Sequence, residues 1–259
     1  PVNEQWSYTF GVVYKHFRSK GFDTWVVSRN FLNNTAYKYI DNNEDNAKSY
    51  DYVSTEAENK ARYEHTSRVN GFKFNYGAGI NYAKYTNQTT KLVYVNEPDT
   101  VDYSTTMNVF SWNIFGQVSK AILKDRLTLS LGARMDANNY SSSMSNMLDQ
   151  FSPRFSASYA LTDKLFLNFN TGRYFQRPPY TALGFKNNEG DFVNKQNGLK
   201  YIRSDHVVAG IEYLPDEKSK FTIEGFYKKY DSYPFSVDDS IALASKGGDY
   251  GTYGDEEVL

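Results

Sequence analysis

Three histidines, 30 carboxylates and no cysteine bound the chemistry open to this 259-residue chain. His16, His65 and His206 fall on separate segments, and no two share a metal-ligand spacing such as His-x3-His. Without cysteine there is neither a disulfide nor a thiolate zinc site. The run from Asp41 to Asn46 resembles the start of a calcium loop. It has Asn46 where the sharp turn needs glycine, and Tyr52 where a bidentate glutamate belongs. Gly-x-Ser-x-Gly, phosphate-binding and dinucleotide-binding loops are all missing from the sequence. The expectation is a protein that binds rather than catalyses, with no cofactor. A net charge of −1 leaves no electrostatic footprint for nucleic acid.

The side chains best suited to recognition are arginines and aromatics. Arg134 and Arg154 alternate with apolar neighbours, which places them on the polar faces of their strands. Arg173 follows on the next strand. Ion pairing with Asp136 or Glu212 is the plainer use of such arginines. Between Arg177 and Lys200 a long connection carries Tyr180, Phe185 and Phe192, which are placed to touch a ligand.

The elements that hold these residues read as strands. From Arg126 to Asp136, Leu127, Leu129, Leu131 and Ala133 fall on one face, with Thr128, Ser130, Gly132 and Arg134 on the other. Leu165, Leu167 and Phe169 likewise oppose Asn168 and Asn170. Phe155, Ala157 and Tyr159 oppose Arg154, Ser156 and Ser158. The same period of two runs through Trp6–Tyr14, Phe72–Tyr82 and Val207–Tyr213, and more weakly through Tyr52–Val69. About ten strands of about 11–17 residues result. Globular strands cluster near about 5–6 residues, and a tilted membrane strand needs about 9–11.

The connections alternate between short and long. Arg18–Gly21, Asn70-Gly71, Lys124-Asp125, Thr162-Asp163 and Pro215–Ser219 are tight. Asp41–Ser49, Gln88–Thr105, Ser141–Asp149 and Arg177–Lys200 are long, and another long stretch starts after Phe235. Sorting by parity is the mark of an antiparallel membrane barrel, with tight turns in the periplasm and long loops outside. Trp6, Tyr85, Tyr140, Tyr174, Phe175 and Tyr213 sit near strand ends, where interfacial girdles are expected. The polar faces are rich in Ser, Thr, Asn and Gly, which suits a barrel interior. The fold class is therefore all-β: an antiparallel transmembrane β-barrel segment of about ten long strands.

Several motifs in order resemble the barrel of TonB-dependent outer-membrane receptors. They are Ile114-Phe-Gly-Gln-Val-Ser-Lys120 leading to Arg126-Leu-Thr-Leu-Ser-Leu-Gly-Ala-Arg-Met-Asp136, then Phe151-Ser-Pro-Arg154, Leu161-Thr-Asp163, Asn170-Thr-Gly-Arg-Tyr-Phe-Gln-Arg-Pro-Pro179 and Ser204–Glu212. The resemblance covers roughly residues 110–235; residues 1–109 are similar only in style. The Tyr- and Asn-rich strands resemble receptors of Bacteroidetes-like bacteria. The resemblance implies a location in the bacterial outer membrane and energy-coupled uptake of a scarce nutrient, such as a metal chelate, cofactor or glycan. It also implies contacts with outer-membrane lipid, with a plug domain of the same full-length chain, with TonB, and with an extracellular small-molecule or glycan ligand. Residues placed like Arg134, Arg154 and Arg173 contact plug or substrate in that family. No plug, TonB box or terminal aromatic strand is visible in this sequence, so residues 1–259 are expected to form part of the barrel domain. A non-energised porin-like channel or adhesin is the alternative, and a secreted glycan-binding sandwich fits the strand lengths less well.

Overall fold

In the computed structural model, residues 2–94, 98–187, 189–245 and 256–259 are described. Ten antiparallel strands form one sheet in simple sequence order. They are β1 (Val2–Arg18), β2 (Gly21–Tyr39), β3 (Lys48–Val69), β4 (Phe72–Tyr94), β5 (Pro98–Ile122), β6 (Leu127–Asn138), β7 (Phe151–Ala160), β8 (Leu165–Gln176), β9 (Ile202–Asp216) and β10 (Ser219–Asp231). The sheet is an open wall, with β1 and β10 at its edges.

Tight turns close one end. At the β3–β4 hairpin Asn70 and Gly71 both have positive φ, 52° and 77°. This is the primed turn geometry that matches strand twist, and Asn-Gly is its favoured sequence.

The alternation resolves into two faces. One register row joins Tyr14, Trp25, Tyr63, Ala78, Ile114 and Met135 across β1–β6. Those side chains lie on the outer, apolar face, where Tyr14 and Trp25 stack at 5.6 Å. A neighbouring row begins at His16, Asp23, His65 and Tyr76, beside the tight turns. It runs through Gly116, Ala133 and Pro153, and the register then leads to Arg173, Asp205 and Lys229, beside the long loops. A row perpendicular to the strands therefore climbs from one rim to the other. The strands are inclined to the barrel axis, as closure requires.

On the inner face a cluster of buried apolar side chains sits at the loop end. Ala83 and Tyr85 of β4 and Met107 and Val109 of β5 form its wall side. The rest comes from loops: Tyr140 and Met144 between β6 and β7, Tyr180, Ala182, Leu183, Leu199 and Tyr201 between β8 and β9, and Leu243 and Val258 after β10. Three short helices shape these loops: α1 (Ser142–Ser145), α2 (Tyr180–Gly184) and α3 (Val193–Gln196).

Two expectations change. Gln88–Thr105 is largely paired strand rather than loop. Gln88 faces Ser104, Thr90 faces Asp102 and Lys91 faces Val101. Thr and Val suit a pleated ladder, and Thr90 Oγ1 donates to Asp102 Oδ1 at 2.8 Å. The girdle is also smaller than expected. Trp6 and Tyr213 are exposed on the outer face at 56% and 45%, whereas Tyr85 and Tyr140 are 1% and 5% exposed inside the loop cluster. Tyr174 turns inward over Arg154, and Phe175 packs against the cluster. Aromatics at this level fill a core instead of meeting an interface.

Candidate functional site

Below the loop cluster, the inner wall and the returning β8–β9 loop enclose a cavity of about 420 Å³. Its charged lining is Glu58, Lys60 and Arg62 from β3, Arg134 and Asp136 from β6, and Arg177 from the loop. Period two explains the β3 set: Glu56, Glu58, Lys60, Arg62 and Glu64 occupy alternate positions and share one face. Tyr201 and Phe175 supply the aromatic side. Four cationic groups thus meet two carboxylates in a space of small-ligand size.

The charges are ordered by pairing. Arg134 is bidentate to Asp136, Nε to Oδ2 at 2.8 Å and Nη2 to Oδ1 at 2.7 Å. Lys60 pairs with Glu58. Arg177 donates to Glu58 Oε1 at 3.3 Å and lies 4.0 Å over the Tyr180 ring. The Tyr180 hydroxyl donates to the same Oε1 at 2.7 Å. Two buried oxygens in the lining, Asn81 Oδ1 and Ser111 Oγ, have no hydrogen-bond partner among the described residues. The cavity offers cations for an anionic group and polar oxygens for a hydrogen-bonding one.

The loop above is locked by directed bonds. Tyr140 Oη donates to Leu183 O at 2.8 Å, and Tyr103 Oη to Gly184 O at 2.8 Å. Asn138 Nδ2 donates to Tyr201 Oη at 2.9 Å. Tyr85 stacks on Tyr180 with centroids 5.8 Å apart. Gly184 crosses this ring so closely that a Cβ would lie 3.0 Å from Tyr85 Cε1. Burial pushes the pKa values of the Tyr140, Tyr180 and Tyr201 phenols above the ordinary tyrosine range.

The expected site residues separate into three groups. Arg134 lines the cavity. Arg154 is also on the inner face, exposed, with its guanidinium 4.5 Å over Tyr174 and no ion pair among the described residues. Tyr174 in turn packs on His206 at 4.6 Å. Tyr180 is 5% exposed and belongs to the loop core. Phe185 stacks on Tyr103 at 6.2 Å, and Phe192 packs against the core under Lys186. Arg173 is not in the cavity. It shares the register face of Leu165, Leu167 and Phe169 and pairs with Asp205 at 2.8 Å. The anticipated partnership with Asp136 holds for Arg134, while Glu212 is paired with Lys220.

Lys60, Arg62, Glu58 and Arg177 were not singled out in the sequence. The alternating charges of β3 were the signal, masked because that strand has the weakest apolar face. A wall that is apolar outside, polar inside, tight-turned at one rim and loop-covered at the other is a section of an outer-membrane barrel. The chain belongs to the TonB dependent receptor-like, beta-barrel family, which its residues 1–256 match. Its place is the bacterial outer membrane.

Solved receptors share the fold. The ferric enterobactin receptor of Pseudomonas aeruginosa superposes with a TM-score of 0.62 at 16% identity, over 88% of this chain and 35% of that one. The copper transporter OprC gives 0.65 at 15% identity, over 92% and 40%. The siderophore receptor PirA of Acinetobacter baumannii gives 0.60 at 14%, over 88% and 35%. This chain spans between 35% and 40% of the lengths of these receptors. Among curated proteins, none matches the sequence at a significant level.

Proposed function

We propose that residues 1–259 form barrel wall and extracellular loops of a receptor for energy-coupled nutrient uptake. In this reading the plug domain of the same full-length chain fills the barrel, and TonB drives it. The nutrient is a metal chelate, cofactor or glycan bearing an anionic group and hydrogen-bonding oxygens or nitrogens. The observation that carries the proposal is the cavity on the inner face, where Lys60, Arg62, Arg134 and Arg177 outnumber Glu58 and Asp136. Arg134 and Arg154 are the ligand contacts, while Tyr180, Phe185 and Phe192 act by holding the β8–β9 loop in place. Arg173 lies outside the site.

The test is uptake by whole cells carrying the full receptor, with labelled ferric catecholate, cobalamin or anionic oligosaccharide. Accumulation of one of them that needs the receptor and collapses with an uncoupler supports the reading. Receptor-dependent entry that persists in uncoupled cells favours a passive channel and overturns it.

A further inference from the structure

The floor of the cavity narrows the kind of anion it takes. Two register rows cross it from β3 towards β6. One joins Lys60, Asn81 and Ser111, and the next joins Arg62, Gly79, Asn113 and Asp136. Asn81 Oδ1 and Ser111 Oγ, the two buried oxygens without a partner among the described residues, belong to facing positions of β4 and β5. Adjacent strands are about 4.8 Å apart, so both oxygens can serve neighbouring groups of one small molecule. A buried oxygen left unpartnered is costly, and each of these can accept from a hydroxyl. Asn113 lays its amide across Gly79: a Cβ there would lie 3.0 Å from Nδ2 and 3.3 Å from Oδ1. Gly79 is thus the gap in the floor, between Arg62 on β3 and Asn113 on β5.

The charges around this floor are nearly balanced. Lys60 and Arg177 share Glu58. Arg134 gives Nε and Nη2 to Asp136 and retains Nη1 as a further donor. Arg62 is held least. Its Nη2 stands 3.9 Å from Glu64, which accepts a hydrogen bond from Asn75 at 2.7 Å. Counting Glu64, four cations face three carboxylates, an excess of one positive charge. Such a site suits a ligand with a single negative charge, and a trianionic ferric tris-catecholate would leave charge unmatched. Tyr201 and Phe175 close the side with ring surface.

One carboxylate, adjacent hydroxyls and an apolar ring face occur together in a uronic acid. We propose that the cavity takes the terminal uronic acid unit of an acidic oligosaccharide, with its carboxylate beside Arg62 over Gly79, neighbouring hydroxyls on Asn81 and Ser111, and its C–H face towards Tyr201. Asn81 and Ser111 then select hydroxylated ligands, and Arg62 selects the acid over the neutral sugar. Gly79 is a positioning residue, which leaves room for the Asn113 amide. The proposal rests on the receptor reading and narrows its nutrient to one class.

The full receptor is purified in mild detergent, checked for heat-modifiable migration, and titrated by calorimetry with the disaccharide glucuronosyl-xylose. Glucosyl-xylose keeps the hydroxyls and lacks the acid. Cyclohexanecarboxylate keeps the acid and lacks the hydroxyls. Ferric tris-catecholate supplies the polyanion. Glucuronosyl-xylose is expected to bind, and the other three at least about tenfold more weakly, the scale of one charge-assisted contact. Ser111→Ala should weaken the acidic disaccharide about fivefold, the scale of one neutral hydrogen bond. It should not lower thermal stability, because the deleted oxygen has no partner among the described residues. Arg62→Gln should bring the acidic and neutral disaccharides to equal affinity. Gly79→Ala, which displaces the Asn113 amide, should weaken both with heat modifiability retained. No binding of glucuronosyl-xylose, tighter binding of the catecholate, or equal binding of the two disaccharides by the unmodified receptor overturns the proposal. So does unchanged affinity in Ser111→Ala, as a water serving these oxygens would give. Binding is read on the purified receptor, apart from energy coupling. Passive entry into whole cells therefore overturns the uptake reading and leaves this one standing, while a coupled receptor that prefers the catecholate does the reverse.

Discussion

The Tyr180 hydroxyl donates to Glu58 Oε1 at 2.7 Å, which ties the β8–β9 loop to the inner face of β3 across 122 positions of sequence. Arg177 reaches the same oxygen and stacks on the same ring. One carboxylate on the wall thus holds two loop residues. Replacing Tyr180 with Phe removes a hydrogen bond to a charged acceptor, with a local cost of about 1.5–3 kcal/mol. The loop should become more sensitive to trypsin at Lys186 and Lys195 while the heat-modifiable barrel persists. Unchanged cleavage would show that the bond contributes little.

Leu183 is fully buried between the loop and the wall. Leu183→Ala should destabilise the loop cluster by about 2–5 kcal/mol, the transfer and cavity terms together. Hydrogen exchange is expected to rise in residues 177–201 and at Tyr85 and Met107, and to stay constant at the tight turns. A uniform rise across the sheet would contradict a separable loop core.

The buried phenols give the cluster an alkaline limit. Tyr140, Tyr180 and Tyr201 ionise less readily folded than unfolded, where the ordinary value is about 10. A raised folded value means their contribution is fully present below about pH 10 and is lost as pH rises through the folded value. Tyrosinate absorbance should lag in the folded protein, and loop proteolysis should accelerate only above about pH 10. Ordinary titration of these three phenols would refute their burial.

Arg134 and Arg173 separate the two faces of the wall. Arg134→Gln should reduce nutrient affinity by about tenfold or more, the scale of one charge-assisted contact. Arg173→Gln should leave it unchanged, since Arg173 stands on the lipid-facing side against Asp205. Equal losses in both variants would remove the distinction.

Gly71 tests the turn that sets the β3–β4 register. Its φ of +77° lies where a side chain costs about 1–2 kcal/mol, although a Cβ would touch nothing. Gly71→Ala should slow barrel assembly in a refolding assay with little change in the final fold. A rate equal to the unmodified protein would show that pairing further up the strands fixes the register.

Much of the wall was legible because one physical rule, apolar outward and polar inward, repeats along most of the strands. Leu127–Asp136 follows it residue by residue, and Leu165–Phe169 does so except at Phe166. The rule fails at Ala83, Tyr85, Met107 and Val109, which are apolar on the inner face at the loop end. There the outward positions Lys84, Thr86, Thr106 and Asn108 are polar, so the alternation locally reverses where the loops return to cover the inner side. That reversal was the available sign of an interior packing surface. Arg134 and Arg154 were both legible as inner-face residues, since both follow the alternation. Arg173 could not be placed, because charges near a membrane rim appear on either face. The short helices α1–α3 had no periodic signal at four or five residues each.

The anchoring of the β8–β9 loop also has a mechanical meaning. A pull on this loop from outside the cell passes through Tyr180 into β3 and through the ring of Tyr85 into β4. Those strands are 22 and 23 residues long and are zipped on both sides by ladder bonds. A force along them loads many hydrogen bonds in parallel shear. The side-chain tethers should give way long before the wall does, which makes them a fuse: anything tugging on the cell surface here would strip the loop and spare the barrel.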